Sequence, residues 1–489
     1  MNKNIILGFY GYFLLFLGGC LIVPLLVALL YNEKDCVLSF LVPMAVCAVP
    51  GVIIHKRRSL SFQENKLKLR HSYLIVTSSW IIASVIGALP YLISGSIPSF
   101  SEALFETCSG FSTTGSTILT DVEALPKSIL FWRSLTQWLG GMGIMVLFVA
   151  LLPSIGIKAR TIAGAETPGP TVTKVSSRFS ETARLMYQAY LIFTVALIVL
   201  LLIGGMNLFD SVCHAMTTMA TGGYSTHNEG IPYFHSTYIT CVLIVFMFIA
   251  GTNFNLFFFA LQTSPRKAFR DEEFRFYLLT VVVSTALILW SVMAGGNYIH
   301  FGEALTDSAF QVVTIITTTG YATADYNGWP AFAQMLLVIL MLSGASSSST
   351  SGGIKEVRVL IFFKMIKYEI KRHLHINIVD DIRYNGKKMM PETLTYIMTF
   401  LTTYIITLVA ATFLISVTGE GNLVTNFTAV LTCISNVGPG LDLVGPVCNF
   451  HFYSAFVKYV LSFVMIAGRL ELSTFLILFT SYYWRPDKA

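Results

Sequence analysis

Long apolar runs alternate along this chain with short, mixed ones, and the alternation recurs. Ile5 to Tyr31 and Cys36 to Ile54 are apolar throughout, and each is long enough to cross a bilayer at about 20 residues per span. A four-part unit then follows: a long apolar run, a short helical stretch that cannot span, a Thr/Gly-rich loop, and a second apolar run. The first unit has Tyr73 to Leu92, Ser101 to Phe111, a loop at Gly115, and Ile129 to Leu152. The second has Leu185 to Gly205, Phe209 to Met219, a loop at Gly223, and Tyr238 to Leu261. The third has Phe274 to Met293, Glu303 to Ile316, a loop at Gly320, and Ala331 to about Ile366. The fourth has Leu394 to Val417, Leu423 to Ile434, a loop at Gly438, and Phe452 to Phe479.

This pattern predicts an all-α, polytopic membrane protein of ten spans: an N-terminal pair (1–71), then repeats over 72–159, 160–264, 265–391 and 392–489. Aligned on the glycines, the position thirteen residues earlier is Glu102, Asp210, Asp307 and Thr425. Each falls near the start of a short helix, where an acid or hydroxyl can cap free N–H groups and offset the dipole. The partly negative C-terminal end then faces the loop, where a cation would sit.

The loops carry the candidate chemistry. They read Thr113-Thr114-Gly115-Ser116-Thr117, Ala220-Thr221-Gly222-Gly223-Tyr224-Ser225-Thr226, Thr318-Thr319-Gly320-Tyr321-Ala322-Thr323 and Ser435-Asn436-Val437-Gly438-Pro439-Gly440. Glycine lets backbone carbonyls turn inward, so several such loops together can replace an ion's water shell. One Thr-Thr-Gly is an ordinary turn, but four in matching settings form a set. The fourth departs most, since it lacks the Thr-Thr pair and Pro439 removes an N–H, which predicts an asymmetric ring contributing carbonyls chiefly at Asn436 to Gly438.

Composition agrees with a bilayer setting: 54% of the 489 residues are hydrophobic, only 12% are charged, and the mean hydropathy is +0.69. The eight cysteines show no Cys-x-x-Cys spacing and lie mostly in apolar runs, as small buried residues do. Leu17-Gly18-Gly19-Cys20 has the form of a lipoprotein processing site, but the apolar run continues past Cys20, so the stretch reads as a span. Lys and Arg crowd 55–71, 156–184, 264–275 and 355–388, whereas Met206 to Pro232, Asn297 to Pro330 and Gly419 to Phe452 contain neither. The positive-inside rule therefore puts the glycine loops outside and both termini in the cytoplasm. No Walker loop, dinucleotide fingerprint or His-Glu-x-x-His is present, which points away from an enzyme and leaves a partner or the membrane potential as the energy source.

At this point the sequence resembles the Trk/Ktr/HKT superfamily of potassium transporters, and most closely the bacterial TrkH/TrkG membrane subunits. The resemblance rests on the four glycine loops, Glu166-Thr167-Pro168-Gly169-Pro170, Gly352-Gly353-Ile354-Lys355 and Gly468-Arg469-Leu470-Glu471. It implies potassium-channel-like architecture around one pore, each loop giving a quarter of one selectivity filter and glycine in every unit going with potassium preference. It also implies potassium uptake across the bacterial inner membrane, a homodimer, and a cytosolic TrkA-like subunit that binds NAD or ATP. Membrane lipid is the other expected contact; no bound cofactor and no nucleic acid are expected, and potassium is the transported ligand. The competing class is an ion-coupled transporter of another small solute, but such folds usually show inverted repeats, and these repeats run in one orientation.

Two further features lie inside apolar runs. Ser343-Gly344-Ala345-Ser346-Ser347-Ser348-Ser349-Thr350-Ser351-Gly352-Gly353 is small and helix-poor, and it separates two half-span stretches. It reads as a gate loop under the filter, with a close-packing helix face or a cytosolic linker as the alternatives. Lys458 and Arg469 are eleven residues apart on one helical face, ~16 Å along the axis. They could line the pore as fixed cations. Alternatively, Arg469 pairs with Glu471 or helix carbonyls, and Lys458 snorkels outward. Arg133 and Gln137 read as interfacial anchors, and His214 as a packed, hydrogen-bonded histidine. Lys364, Lys367, Lys371 and Arg372 read as a basic helix end facing lipid headgroups, with partner docking as the alternative.

Overall fold

The computed structural model describes residues 3–58, 69–143, 179–257, 269–374 and 381–484. Among these residues the fold is mostly helical, and six helices are long and apolar enough to cross a membrane: Ile6–Leu30, Lys34–Arg57, Arg70–Ile93, Arg184–Ile203, Glu272–Ala294 and Pro391–Ser416. The first runs through Cys20 with a single turn at Leu21. The Glu166–Pro170 motif and the basic residues Lys66, Lys68, Lys158, Arg160, Lys174, Arg178, Arg266 and Lys267 lie outside the described residues.

Each of the last four long helices leads into a short one: Phe100–Phe111, Leu208–Met219, Phe301–Ile316 and Leu423–Ser435. A glycine loop follows, then a return helix: Lys127–Gly141, Thr237–Gly251, Ala331–Ser343 and Ala455–Arg469. Local chemistry starts these helices. The Asn207 and Asn422 side chains accept from Asp210 N at 2.8 Å and Thr425 N at 2.9 Å, closing the first turns of two short helices. Pro126 and Pro330 stand just before two return helices, where a fixed φ costs nothing.

Glu102 and Asp210 do lie in the first turns of their helices, but none of the four residues thirteen before a glycine is the cap. Asp210 and Asp307 instead accept from Thr226 Oγ1 at 2.7 Å and Thr323 Oγ1 at 2.8 Å, the residue three past the glycine in each unit. In the fourth unit the polarity is reversed, and Thr425 Oγ1 donates to Asp442 at 2.6 Å. These bonds tie the outgoing end of a loop back to its short helix. Asp307 sits beyond the first turn, where capping is geometrically impossible.

The return helices correct a second expectation. Each was expected to run on as a full span, yet all four stop, at Gly141, Gly251, Ser343 and Arg469, after 15, 15, 13 and 15 residues. Three of the four ends are followed within two residues by a positive φ: Gly143 at 83°, Gly344 at 67° and Glu471 at 57°. The break visible in the sequence of the third unit thus has counterparts in the others.

Packing between units is cyclic. Every leading helix packs on its own short helix, while each return helix packs on the short helix of the next unit. The fourth return helix closes the circle by packing on the first short helix.

Candidate functional site

The four glycine loops meet at the centre of this circle. Gly115, Gly223, Gly320 and Gly438 all have positive φ, between 75° and 102°. Two residues before each, Thr113, Thr221, Thr318 and Asn436 are also left-handed, at 54° to 57°. For a β-branched threonine that conformation is strained, at a typical cost of ~1–3 kcal/mol, and three loops hold one. Asn436 adopts it more readily, so the fourth loop reaches the same backbone without a Thr-Thr pair.

The glycines are required by their neighbours. A Cβ built on Gly115 would lie 2.2 Å from Gly222 O, on Gly223 2.0 Å from Thr319 O, and on Gly320 2.1 Å from Val437 O. On Gly438 it would lie 2.7 Å from Thr114 O. Each glycine faces the carbonyl preceding the glycine of the next loop, and the fourth returns to the first. Thr113, Thr114, Ala220, Thr221, Gly222, Thr318, Thr319, Ser435, Asn436 and Val437 are buried around this ring.

The residues after the glycines brace it. Tyr224 OH donates to Glu106 O at 2.9 Å and Tyr321 OH meets Thr217 Oγ1, so two loops reach back to the short helix of the preceding unit. Ser116, in the equivalent place, donates instead to Gly438 O at 3.0 Å. Asn436 Nδ2 donates to Thr114 Oγ1 at 2.9 Å and to Met465 O at 3.0 Å.

Arg133 and Gln137 are not interfacial. They are 2% and 0% exposed and lie one helical turn apart on the first return helix, behind the ring. The Arg133 guanidinium pairs with Glu106 at 2.8 Å, lies 3.8 Å from the Tyr224 ring centre and donates to Ser225 O at 3.2 Å. Glu106 also accepts from Thr117 Oγ1 at 3.0 Å and Ile118 N at 3.1 Å, which satisfies its charge from several sides.

Directly against the third and fourth loops lies the segment Gly344 to Gly353. It is neither a helix face nor a linker but a folded, non-helical loop, buried except at Ser347 to Ser349 and Gly353, which are half-buried. Gly352 N donates to Thr318 Oγ1 at 2.7 Å, and a Cβ on Gly352 would lie 2.1 Å from Ser435 O. Ser346 N donates to Gly251 O at 3.0 Å, and Thr350 Oγ1 to Ala250 O at 3.2 Å, so the broken end of the second return helix is satisfied by this loop. Ser347 donates through N and Oγ, the latter at 2.8 Å, to the buried carboxylate of Glu273. Lys355 Nζ donates to Ser351 O. Ser348 O accepts from Phe254 N at 3.2 Å, and Ser349 Oγ contacts Ser351 Oγ at 3.0 Å. Ala345 and Gly353 complete the turn-back, with Glu356 N donating to Ala345 O at 3.0 Å.

Arg469 joins this loop to the first unit. Its guanidinium donates to Thr350 O at 2.8 Å, to Gly140 O at 2.7 Å and to Gly141 O. Glu471 does not pair with it; that carboxylate instead accepts from Arg358 at 2.6 Å and from Tyr396 OH at 3.0 Å. Lys458 lies at the other end of the same helix, buried, donating to Glu102 at 2.7 Å and His451 O at 2.9 Å. His214 is fully buried between Asp210 O at 2.9 Å and Ser225 Oγ at 3.0 Å, which fixes the proton on Nδ1. Lys364 reaches the Glu272 carboxylate and Arg383 O, beside the small hairpin Arg383–Tyr384/Lys387–Lys388. In the stretch after the fourth glycine loop, the Thr425 hydroxyl holds the Asp442 carboxyl below its ordinary range.

Sequence reasoning missed Glu106, Glu273, Arg358 and the true role of Arg133 and Gln137. A charge inside an apolar short helix was the available signal for Glu106. Glu273 and Arg358 stand at helix ends among other charges, so nothing local marks them as buried.

Comparison with known proteins places the chain. A family model described as TrkH, cation transport protein, matches residues 44–485. The Trk system potassium uptake protein TrkH of Salmonella typhimurium is 35% identical over 99% of this chain and all of that protein. TrkG of Escherichia coli K12 is 33% identical over 94% of each. A crystal structure of the potassium transporter TrkH from Vibrio parahaemolyticus superposes with a TM-score of 0.88 at 32% identity, covering 99% of this chain and all of that one. With these matches running over nearly the whole chain, this multi-pass membrane protein belongs to the TrkH family of cation transport proteins.

Proposed function

We propose that the protein takes up potassium across the bacterial cytoplasmic membrane through one pore, with the four glycine loops as its selectivity filter. The observation that carries this reading is the closed cycle of glycines, each against a carbonyl of the next loop. Alternating backbone hand turns successive carbonyls to the same side, and four such strands around an axis offer rings of oxygen ligands to a dehydrated cation. Potassium is favoured as the ion because the relatives are named as potassium uptake proteins.

In this reading the short helices are pore helices, the loops face outside, and both termini are cytoplasmic. The segment from Gly344 to Gly353 is the gate: it hangs from Thr318 and is latched by Arg469 to the first unit. Control comes from a cytosolic nucleotide-binding subunit of TrkA type, and two copies of the chain pair in the membrane. Lys458 belongs to the outer frame and Arg469 to the conduction path.

The test is uptake of potassium or rubidium by proteoliposomes, with sodium and amino acids as competitors. Saturable potassium uptake that sodium competes with weakly is the expected result. Uptake of an amino acid, or equal movement of sodium and potassium, would overturn it.

A further inference from the structure

We infer that Gln137 is a positioning residue for the filter, clamping the second glycine loop across Gly223 and making that quarter unlike the other three. Both ends of its amide are engaged: Nε2 donates to Gly222 O at 2.7 Å, and Oε1 accepts from Tyr224 N at 3.2 Å. The two partners flank Gly223, so one side chain fixes the peptide groups on either side of a ring residue. Its acceptor Gly222 O is also the carbonyl that faces Gly115 in the closed cycle. The inference rests on the filter reading above.

The clamp explains why the second loop carries a doubled glycine. A Cβ on Gly222 would lie 2.4 Å from Gln137 Cδ and 2.5 Å from its Oε1. The aligned positions in the other loops hold Thr114, Thr319 and Val437. Of these four aligned positions only the second lacks a side chain, and there the Gln137 amide fills the space that a Cβ would take. The fourth unit shows what replaces the clamp. Gly140 and Gly468 are equivalent, since a Cβ on either would strike the carbonyl of the residue four before its own filter glycine, Phe111 O at 1.8 Å or Ile434 O at 2.1 Å. Three residues before them stand Gln137 and Met465. Methionine has nearly the same length and no amide.

The amide is held in place from behind. Arg133, one turn earlier, lies over the Tyr224 ring and donates to Ser225 O, while Glu106 neutralises it. Gln137 itself is fully buried, so its two bonds face no competition from water. A carbonyl that already accepts a short hydrogen bond is a weaker and less mobile ligand for a cation. The second quarter therefore sets the ring's diameter rather than adapting to the ion.

The experiment compares wild type, Gln137→Met and Gln137→Ala in proteoliposomes, measuring rubidium uptake against sodium uptake together with thermal stability. Met keeps the volume and removes both hydrogen bonds. Rubidium-over-sodium preference is expected to fall by about three- to tenfold in both variants, the scale of one lost buried hydrogen bond. This ratio is a property of each active molecule, so a loss of folded protein alone does not move it. If Gln137→Met fails to accumulate, Gln137→Ala, which leaves space rather than a misfit, carries the same comparison. Wild-type preference retained in a folded variant would overturn the clamp and leave the proposed function standing. A wild type that moves no potassium or rubidium would overturn the proposed function itself.

Discussion

The backbone N–H of Gly352 donates to the hydroxyl of Thr318 at 2.7 Å, so the buried loop hangs from a residue of the third glycine loop itself. Thr318 is one of the left-handed residues of the ring, and its strained backbone and its hydroxyl serve two different neighbours. Any movement of the small-residue loop is thus felt at the ring, and the converse.

That linkage separates two substitutions. Thr318→Val keeps the shape and removes the acceptor, leaving a buried N–H unsatisfied at a cost of ~1–3 kcal/mol. It is expected to raise basal potassium flux and lower ion preference together. Glu273→Gln loosens Ser347 at the far side of the loop and is expected to raise basal flux alone, by several-fold. Flux and competition assays on the same vesicles read both quantities. Unchanged basal flux in Glu273→Gln, with wild-type amounts in the membrane, would remove the loop from gating.

Gly320→Ser and Gly115→Ser test the ring. The new Cβ would meet Val437 O at 2.1 Å or Gly222 O at 2.2 Å, and the backbone at φ 82° or 84° resists any side chain. The neighbouring loop must give way, and a widened ring holds sodium's hydration shell as well as potassium. Potassium-over-sodium preference is expected to drop at least roughly tenfold, equivalent to about 1.4 kcal/mol. Normal selectivity in both variants at normal surface levels would refute the four-loop assignment.

Glu106 and Arg133 are both buried, so each alone is an uncompensated charge. Glu106→Gln or Arg133→Met is expected to destabilise by ~3–5 kcal/mol, and the double variant by less than the sum. Melting temperatures in detergent, closed into a double-mutant cycle, measure the coupling. Additive effects would mean that Thr117, Ile118 and Ser225 hold each residue independently of the other.

Hydropathy and glycine spacing made the helix order and the four loops legible, because both are periodic along the chain. Asn436 could not be seen as the equal of Thr113, since the likeness is in backbone hand and not in chemistry. The breaks at Gly141, Gly251 and Arg469 were hidden for a different reason. The free carbonyls at Gly141 and Gly251 are satisfied by donors from another unit, the Arg469 guanidinium and Ser346 N, and the apolar run continues through both breaks. Arg133 looked like an anchor because it is near the end of a span, while its partner Glu106 is 27 residues away. Of the four aligned positions, Asp210 and Asp307 share a role, held by Thr226 and Thr323 from the far end of the loop, whereas Glu102 pairs with Lys458 and Thr425 donates to Asp442.

Arg469 gives the sharpest separation of mechanism from architecture. Its guanidinium bonds Thr350 O, Gly140 O and Gly141 O, spanning the small-residue loop and the broken end of the first return helix. Charged hydrogen bonds of this kind contribute ~1.5–3 kcal/mol each, and a fixed cation repels a passing potassium by ~2 kcal/mol at about 8 Å with an effective dielectric constant of 20. Removing the side chain releases the loop and lowers the barrier together. Arg469→Ala is therefore expected to raise flux per molecule by at least tenfold without altering the ion preference set by the glycine ring. Arg469→Lys keeps the charge but reaches fewer carbonyls, so it should recover the repulsion and only part of the latch. Flux in vesicles of known protein content, read beside the melting temperature, distinguishes the outcomes. A destabilised Arg469→Ala with wild-type flux per molecule would make the residue a strut between two broken helices and nothing more.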